Sequence, residues 1–128
     1  MRLLLDTHTA LWLINEPEKI SSKVSSLLRN DDYDLFLSAA SLWEVAIKVS
    51  LGKLTELNGG VRTLIAHIAK LPIELIQITP SHIEIIESLP FIHRDPFDRA
   101  LIATAKYENM TILTKDDNIQ KYDVSTIW

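Results

Sequence analysis

The sequence predicts an α/β fold, a single domain with a mainly parallel central sheet flanked by helices on both faces. Short apolar runs typical of buried strands alternate along the chain with segments whose apolar residues recur at helical spacing. The 128 residues are enough for one substantial core, and no internal repeat, low-complexity run or linker divides them. A hydrophobic content of 47% and a charged content of 23% are those of a soluble globular protein, so we expect one domain over residues 1–128.

The first half of the chain contains two strand candidates and three helix candidates. Short apolar runs predict strands over residues 2–5 and 35–37. Helical spacing, or a glycine directly after the last turn, predicts helices over residues 9–14, 20–28 and 41–51. Trp12 and Trp43 lie on two of these helices, and we expect them to be core residues and not platforms for base stacking.

The second half of the chain continues the alternation. Apolar and β-branched runs predict strands over residues 75–78, 111–113 and 124–127, the last of them at a sheet edge. Helices are predicted over residues 61–71, 80–89 and 96–108, with a single turn at 119–122. In the second of these helices Ile83 and Ile86 should face inward, and Asn109 should end the third as a left-handed cap.

The segment before the helix at 96–108 places two aspartates at one helix N-terminus. Pro96 suits the first helical position, which makes Asp95 the N-cap and Asp98 the third helical residue. One carboxylate is enough for a cap, although the helix dipole favours both. The sequence therefore predicts that Asp98 faces a divalent metal, together with acidic residues from elsewhere in the chain.

Four acidic residues follow strands or lie in the first turns of helices: Asp6, Glu44, Asp98 and Asp116. In parallel sheets ligands collect beyond the carboxyl ends of the strands, so these side chains should converge. Each pair of carboxylates at 4 Å repels by about 4 kcal/mol at an effective dielectric near 20, which a cation must offset. In a chain without cysteine or histidine clusters the fitting ion is Mg²⁺ or Mn²⁺, and the fitting chemistry is phosphodiester hydrolysis.

Several of these acids also have a purely structural explanation. Ser41 and Glu44 have the spacing of a capping box, which by itself would account for the glutamate. Of the two acids before the turn at 119–122, Asp117 is assigned to the cap and Asp116 to the metal. Asp6 is harder to explain as structural, because a carboxylate at the end of a buried strand must be paired or coordinated.

Other polar residues near the strand ends receive weaker assignments. Ordinary turn or cap hydrogen bonds are favoured over a role at the metal for three of them: Thr7, Ser38 and Thr114. Basic groups that could hold phosphates are His93, Arg94, Arg99, Lys48, Lys53 and Lys115. Only Arg99, adjacent to Asp98, is assigned a functional role as a phosphate or carboxylate partner, whereas His8 and His67 are expected to be structural.

Composition excludes several classes of protein. The absence of cysteine excludes disulfides and thiolate zinc sites and favours a reducing cytoplasm as the location. No apolar run approaches the ~20 residues of a membrane span, and the N-terminal run is too short for a signal peptide. A net charge of −4 argues against a broadly basic nucleic-acid coat protein. It does not exclude a nucleic-acid enzyme, because bound metal would reverse the sign locally.

Taken together, these residues resemble a PIN domain, specifically the VapC-like toxins of prokaryotic type II toxin–antitoxin pairs. The likeness spans the whole chain and consists of four motifs in order. They are Leu3-Leu4-Leu5-Asp6-Thr7-His8, then Ser38 to Glu44 with Ile47-Lys48 and Gly52-Lys53-Leu54, then Leu89-Pro90 with His93 and Asp95 to Arg99, and finally Thr114-Lys115-Asp116.

The resemblance implies a compact α/β fold and a Mg²⁺- or Mn²⁺-dependent endoribonuclease that acts on structured RNA such as transfer or ribosomal RNA. It carries over Asp6, Glu44, Asp98 and Asp116 as the catalytic, metal-binding quartet, and all four positions are filled. It also implies homodimers, and a cognate antitoxin whose C-terminal segment covers the active site. No membrane association is expected.

Two other classes remain open from the residues. A catalytically silent module with the same fold could act by binding RNA or protein, although such a module would be expected to lack some of the acidic positions. An aspartate phospho-acceptor domain of the receiver type also gathers acids and a lysine at strand ends. That class expects an acidic pair after the first strand, where this chain has Asp6 alone.

Overall fold

A central parallel sheet organises the chain, for which a computed structural model describes residues 1–128. Its strands are β1 (Arg2–Leu5), β2 (Asp34–Ser38), β3 (Ile73–Ile76), β4 (Thr111–Leu113) and β5 (Thr126–Ile127). Every pairing is parallel, and the order across the sheet is β3-β2-β1-β4-β5. The strand order changes direction between β1 and β4, and the crevice at such a point is where parallel sheets bind ligands.

Helices cover both faces of the sheet, as predicted. They are α1 (Thr7–Asn15), α2 (Ser22–Leu28), α3 (Ala39–Ser50), α4 (Val61–Ala69), α5 (Pro80–Ser88), α6 (Pro96–Glu108) and α7 (Asp117–Gln120), with a 3-10 turn at Pro17–Lys19. Successive side chains of β1 point to opposite faces of the sheet, so the core has two parts. Leu3 and Leu5 belong to one buried cluster and Leu4 to the other. None of the helices combines the length and the apolar character that a membrane crossing requires.

The predicted elements around the central strands are confirmed. β1, β4 and α6 occupy the predicted residues, and Asn109 ends α6 with a left-handed φ of 55°. The prediction for β3 was displaced by two residues, because Ile76 pairs with Ser38 at the end of β2 and the chain then leaves the sheet. Thr79 therefore lies beyond the strand, where it caps α5. The terminal strand occupies only the last two residues of its predicted range, and the last helical turn begins two residues earlier than predicted.

Two side chains predicted to be buried are exposed. Trp43 is 64% exposed and Ile83 is 56% exposed, so the prediction that they belong to the core was wrong. On α3 the buried positions are taken by Glu44 and Val45, which leaves Trp43 on the outer side of the helix, against the ring of Phe97. On α5 the buried side chain is a histidine, so the aliphatic residue beside it faces outward. Trp12 is half-buried and packs against the core, close to its prediction.

Candidate metal centre at the carboxyl edge of the sheet

Asp6 and Asp116 lie at the crevice between β1 and β4. The Asp6 carboxylate is 4% exposed and accepts hydrogen bonds from the backbone N–H of Thr9 at 2.7 Å and from the hydroxyl of Thr114. The same hydroxyl accepts the backbone N–H of Asp116 at 3.0 Å. Both carboxylates line an open pocket of about 290 Å³, shared with His8, Trp12 and Lys115. Thr114 therefore fixes the relative position of these two acids.

Glu44 reaches the same edge of the sheet from α3 and is held at both oxygens. Its Oε1 accepts the hydroxyl of Thr7 at 2.8 Å, and that hydroxyl lies 2.9 Å from the hydroxyl of Ser41. Its Oε2 is paired with the ammonium group of Lys48 at 2.6 Å. The carboxylate is only 4% exposed, so a neutral donor and one cation hold it in place from opposite sides.

The N-terminus of α6 supplies the remaining acids. Asp95 caps the helix, because its Oδ1 accepts the backbone N–H groups of Phe97 and Asp98 at 2.8 and 3.0 Å. Asp98 points elsewhere, and its Oδ2 lies 3.0 Å from Nε2 of His93. The potential ligand atoms of His93, Asp95 and Asp98 all lie within 4.8 Å of one another. The assignment of Asp95 to the cap and of Asp98 to the third helical position is confirmed, and the metal role of Asp98 stays a prediction.

Two of these carboxyl groups are shifted toward the protonated state. Burial raises the pKa of Asp6 above its ordinary value, against the hydrogen bonds from Thr114 and Thr9 that lower it. Burial raises the pKa of Asp98 to about 7, assisted by repulsion from Asp95, Asp116 and Glu44 and opposed by the hydrogen bond from His93. The three acids that repel Asp98 come from three different elements, so the edge of the sheet does concentrate negative charge.

The structure differs from the structural explanations predicted for Glu44 and for Asp117. α3 begins at Ala39 with Ser38 as its N-cap, so Glu44 lies inside the helix and the predicted capping box is absent. Asp116, not Asp117, caps the last short helix by accepting the N–H of Asn118 at 2.7 Å, which corrects the predicted division between them. The cap was misplaced because α7 begins two residues before its predicted start.

The two threonines and the serine at the strand ends have different hydrogen-bond partners. Ser38 makes the ordinary cap hydrogen bond to the N–H of Ala40, as predicted. Thr7 and Thr114 instead bind carboxylates, so the preference for ordinary turn or cap bonds was wrong for Thr7 and incomplete for Thr114. Thr7 lies two residues after β1 and Thr114 directly after β4, and this position at the strand ends was the sequence signal that pointed to the role.

The functional role predicted for Arg99 was wrong. Its guanidinium is buried, with the residue 5% exposed, and donates to the hydroxyl of Tyr122 and to four backbone carbonyls. These carbonyls belong to Ile86, Leu89, Pro90 and His93. Both terminal nitrogens of the guanidinium are engaged by the protein itself, so the group acts on the loop that precedes α6.

The donor set fits a hard divalent cation. Its candidate ligands are carboxylate oxygens, which Mg²⁺ and Mn²⁺ prefer. Apart from Lys48, no lysine or arginine nitrogen lies within 4.0 Å of the carboxylates of Asp6, Glu44, Asp98 or Asp116. One cation among four acids leaves an excess of negative charge, and bound metal would neutralise it.

Comparisons with known proteins agree with this fold. A family model described as PIN domain matches residues 3–125. Ribonuclease VapC22 of Mycobacterium tuberculosis is 29% identical over 121 residues, covering 94% of this chain and 91% of that protein.

Solved structures with the same fold include VapBC2 from Rickettsia felis bound to a DNA fragment from its promoter, with a TM-score of 0.74, 17% identity and coverage of 99% and 98% of the two chains. DNA-bound VapBC from Salmonella typhimurium has a TM-score of 0.70 and 13% identity, covering 99% and 97%. FitAcB from Neisseria gonorrhoeae has a TM-score of 0.61 and 22% identity, covering 98% and 96%.

Proposed function

Because the chain belongs to the PIN domain family, we propose that it is a metal-dependent endoribonuclease, the toxin of a toxin–antitoxin pair. The observation that carries this proposal is the concentration of Asp6, Glu44, Asp98 and Asp116 at one edge of the sheet with Lys48 as their only close cation. The similarity to a protein named as a ribonuclease supports RNA as the substrate. A reaction on RNA in turn suggests the cytoplasm as its location, in agreement with the cysteine-free sequence.

The four acids would hold Mg²⁺ or Mn²⁺ in this proposal. When bound, the metal would stabilise negative charge on the phosphoryl group and lower the pKa of a water molecule. The chain's own contribution is to fix the carboxylates: Thr114 orients Asp6, while Thr7 and Lys48 orient Glu44. Lys115, at the rim of the pocket beside Asp6 and Asp116, is placed to attract RNA phosphates.

A cognate antitoxin is the proposed regulator. The structural neighbours named VapBC are solved with their partner proteins, which supports a protein partner for this chain. An excess of carboxylates also offers a binding site to a basic side chain from such a partner, in competition with the metal. We therefore expect the antitoxin to inhibit cleavage by occupying the same edge of the sheet.

Cleavage of RNA by the purified chain is the direct test. We expect new RNA ends with Mg²⁺ or Mn²⁺ and none after chelation, when ends are mapped on total structured RNA. Asp6→Asn, prepared in parallel, controls for contaminating nucleases and should yield no ends. Addition of the protein encoded by a small neighbouring reading frame should suppress cleavage. Metal-independent ends, or equal ends with Asp6→Asn, would contradict the proposal.

A homodimer is the second part of the proposal. Two exposed apolar side chains, Trp43 and Ile83, share a groove of about 340 Å³ with the half-buried ring of Phe97. Contiguous exposed apolar surface of this kind marks interaction sites in soluble proteins. We expect Ile83→Glu to convert a dimer into a monomer in light scattering, because a charge at this position would be buried on association. The matched variant Glu84→Gln should leave the mass unchanged, and a monomeric wild-type chain would rule the dimer out.

A further inference from the structure

His93 contacts the proposed metal centre without belonging to the carboxylate quartet. Its Nε2 lies 3.0 Å from Oδ2 of Asp98, a distance at which a protonated ring nitrogen donates to the carboxylate. No hydrogen bond is made to the other oxygen of Asp98, which is left available to a metal. The His93 side chain is 26% exposed, so the ring sits at the mouth of the site and not in the core.

The backbone of His93 is held from behind by buried groups. Its N–H donates to the hydroxyl of Tyr122 at 2.9 Å, and its carbonyl accepts that hydroxyl at 3.2 Å. The Arg99 guanidinium lies 3.1 Å from the same hydroxyl and binds the carbonyls of the preceding loop. Tyr122 and Arg99 are both 5% exposed, so two buried side chains hold the backbone of His93 in place.

The other neighbours of Asp98 cannot orient its carboxylate. Asp95, Asp116 and Glu44 carry the same charge and repel it. The terminal torsion of an aspartate side chain has a broad energy profile, so a hydrogen bond to one oxygen restricts the direction of the carboxylate. The ring of His93 supplies the one such bond. Groups that hold a metal ligand in this way commonly account for a tenfold to hundredfold difference in metal affinity.

We propose that His93 is a positioning residue of the metal centre: it fixes Oδ2 of Asp98 so that the other oxygen faces the metal. The proposal rests on the proposed function, since it presumes a metal at this site. Direct ligation by the ring is the competing reading, because the ligand atoms of His93, Asp95 and Asp98 lie within 4.8 Å. Ligation through Nε2 would require that nitrogen to lose its proton and its bond to Asp98, which makes the hydrogen-bonded role the better fit.

Binding of Mn²⁺ to the full chain without RNA tests this inference, measured by calorimetry and by electron paramagnetic resonance. His93→Ala should weaken Mn²⁺ affinity about tenfold. His93→Gln should recover much of the loss, because its amide nitrogen can donate to Asp98 from a similar distance. Tyr122→Phe, which keeps the ring but removes the hydroxyl that holds His93, should give an intermediate loss. His67→Ala, the same substitution at an exposed histidine of α4, should bind as the wild-type chain does.

The outcomes separate this inference from the proposed function. Wild-type binding that His93→Ala leaves unchanged, in a variant with an unaltered melting curve, would overturn the positioning role alone. Magnetic coupling between Mn²⁺ and an imidazole nitrogen would overturn it in favour of direct ligation. A wild-type chain that binds no Mn²⁺ would overturn both. Weaker binding in His93→Ala with rescue by glutamine and no nitrogen coupling would support it.

Discussion

Asp98→Asn is expected to abolish RNA cleavage and at the same time to raise the thermal stability of the metal-free protein. Loss of a charged group proposed as a metal ligand should reduce the rate by more than about 100-fold, beyond the effect of removing a supporting group. The same substitution removes a largely buried carboxylate, whose side chain is 17% exposed and which is repelled by Asp95, Asp116 and Glu44. Activity and stability should therefore move in opposite directions at this one position.

The pH dependence of stability has a definite sign. Folding raises the pKa of Asp98 from an ordinary value of 3.8 to about 7, so between these values the folded state holds a proton that the unfolded state has lost. Stability therefore falls as pH rises through this window, and burial of Asp6 acts in the same direction. The shift in the pKa of Asp98 corresponds to at most about 4 kcal/mol in the free energy of unfolding, and screening by solvent and counter-ions reduces this value.

Thermal melting of the metal-free chain at about pH 5 and about pH 8 measures this effect. The wild-type midpoint should be lower at the higher pH, and Asp98→Asn should raise it there by roughly 4 °C or more. Added Mg²⁺ or Mn²⁺ should stabilise the wild-type chain and leave Asp98→Asn nearly unaffected. Asp34→Asn, at the exposed start of β2, is the matched control. A destabilised Asp98→Asn at the higher pH would contradict the repulsion described here.

Arg99→Met is expected to destabilise the fold by about 3 kcal/mol or more, the largest effect on stability that we predict. The buried guanidinium satisfies four backbone carbonyls and the hydroxyl of Tyr122 at once, and also packs over the ring of Phe91. A methionine fills similar space but leaves these acceptors without donors. Arg99→Lys should recover little of the lost stability, because one ammonium group cannot reach all the acceptors that the planar guanidinium binds.

Urea unfolding and melting of the metal-free chain measure this loss, which should lower the midpoint by roughly 10 °C. Arg62→Met, at an exposed position of α4, provides the same change of side chain without the buried hydrogen bonds. Equal midpoints for the two variants would show that the loop before α6 does not depend on the guanidinium.

The elements near the sheet centre were predictable because local and tertiary preferences agree there. Pro96, Asp95 and Asn109 mark both ends of α6, and the structure uses all three. β3 was displaced because an edge strand pairs on one side only, and its apolar residues are only partly buried. The prediction from the spacing of apolar residues was also wrong for Trp43. The buried face of α3 includes Glu44, and the spacing of apolar residues assigns a glutamate to the polar surface.

The placement of the acids at the carboxyl edge of the sheet was predictable, but the side chains that hold them were not. Strand ends and helix starts brought Asp6 and Asp116 together, because parallel strands share one carboxyl edge. The pairing of Thr7 with Glu44 joins residues 37 apart in sequence, and no local pattern encodes it. Arg99 was misassigned for the same reason: its acceptors are backbone carbonyls, which leave no trace in residue identity.

Asp6 and Asp116 each cap a helix while lining the candidate metal centre, and this double use has a genetic consequence. Asparagine caps a helix about as well as aspartate, but it brings no negative charge to a metal. Codons for the two amino acids differ by a single base. One transition at either codon would therefore silence the site and preserve the folded chain, whereas alanine would remove the cap as well. A population under pressure to escape the activity would have a short mutational path to an inert protein with the fold intact.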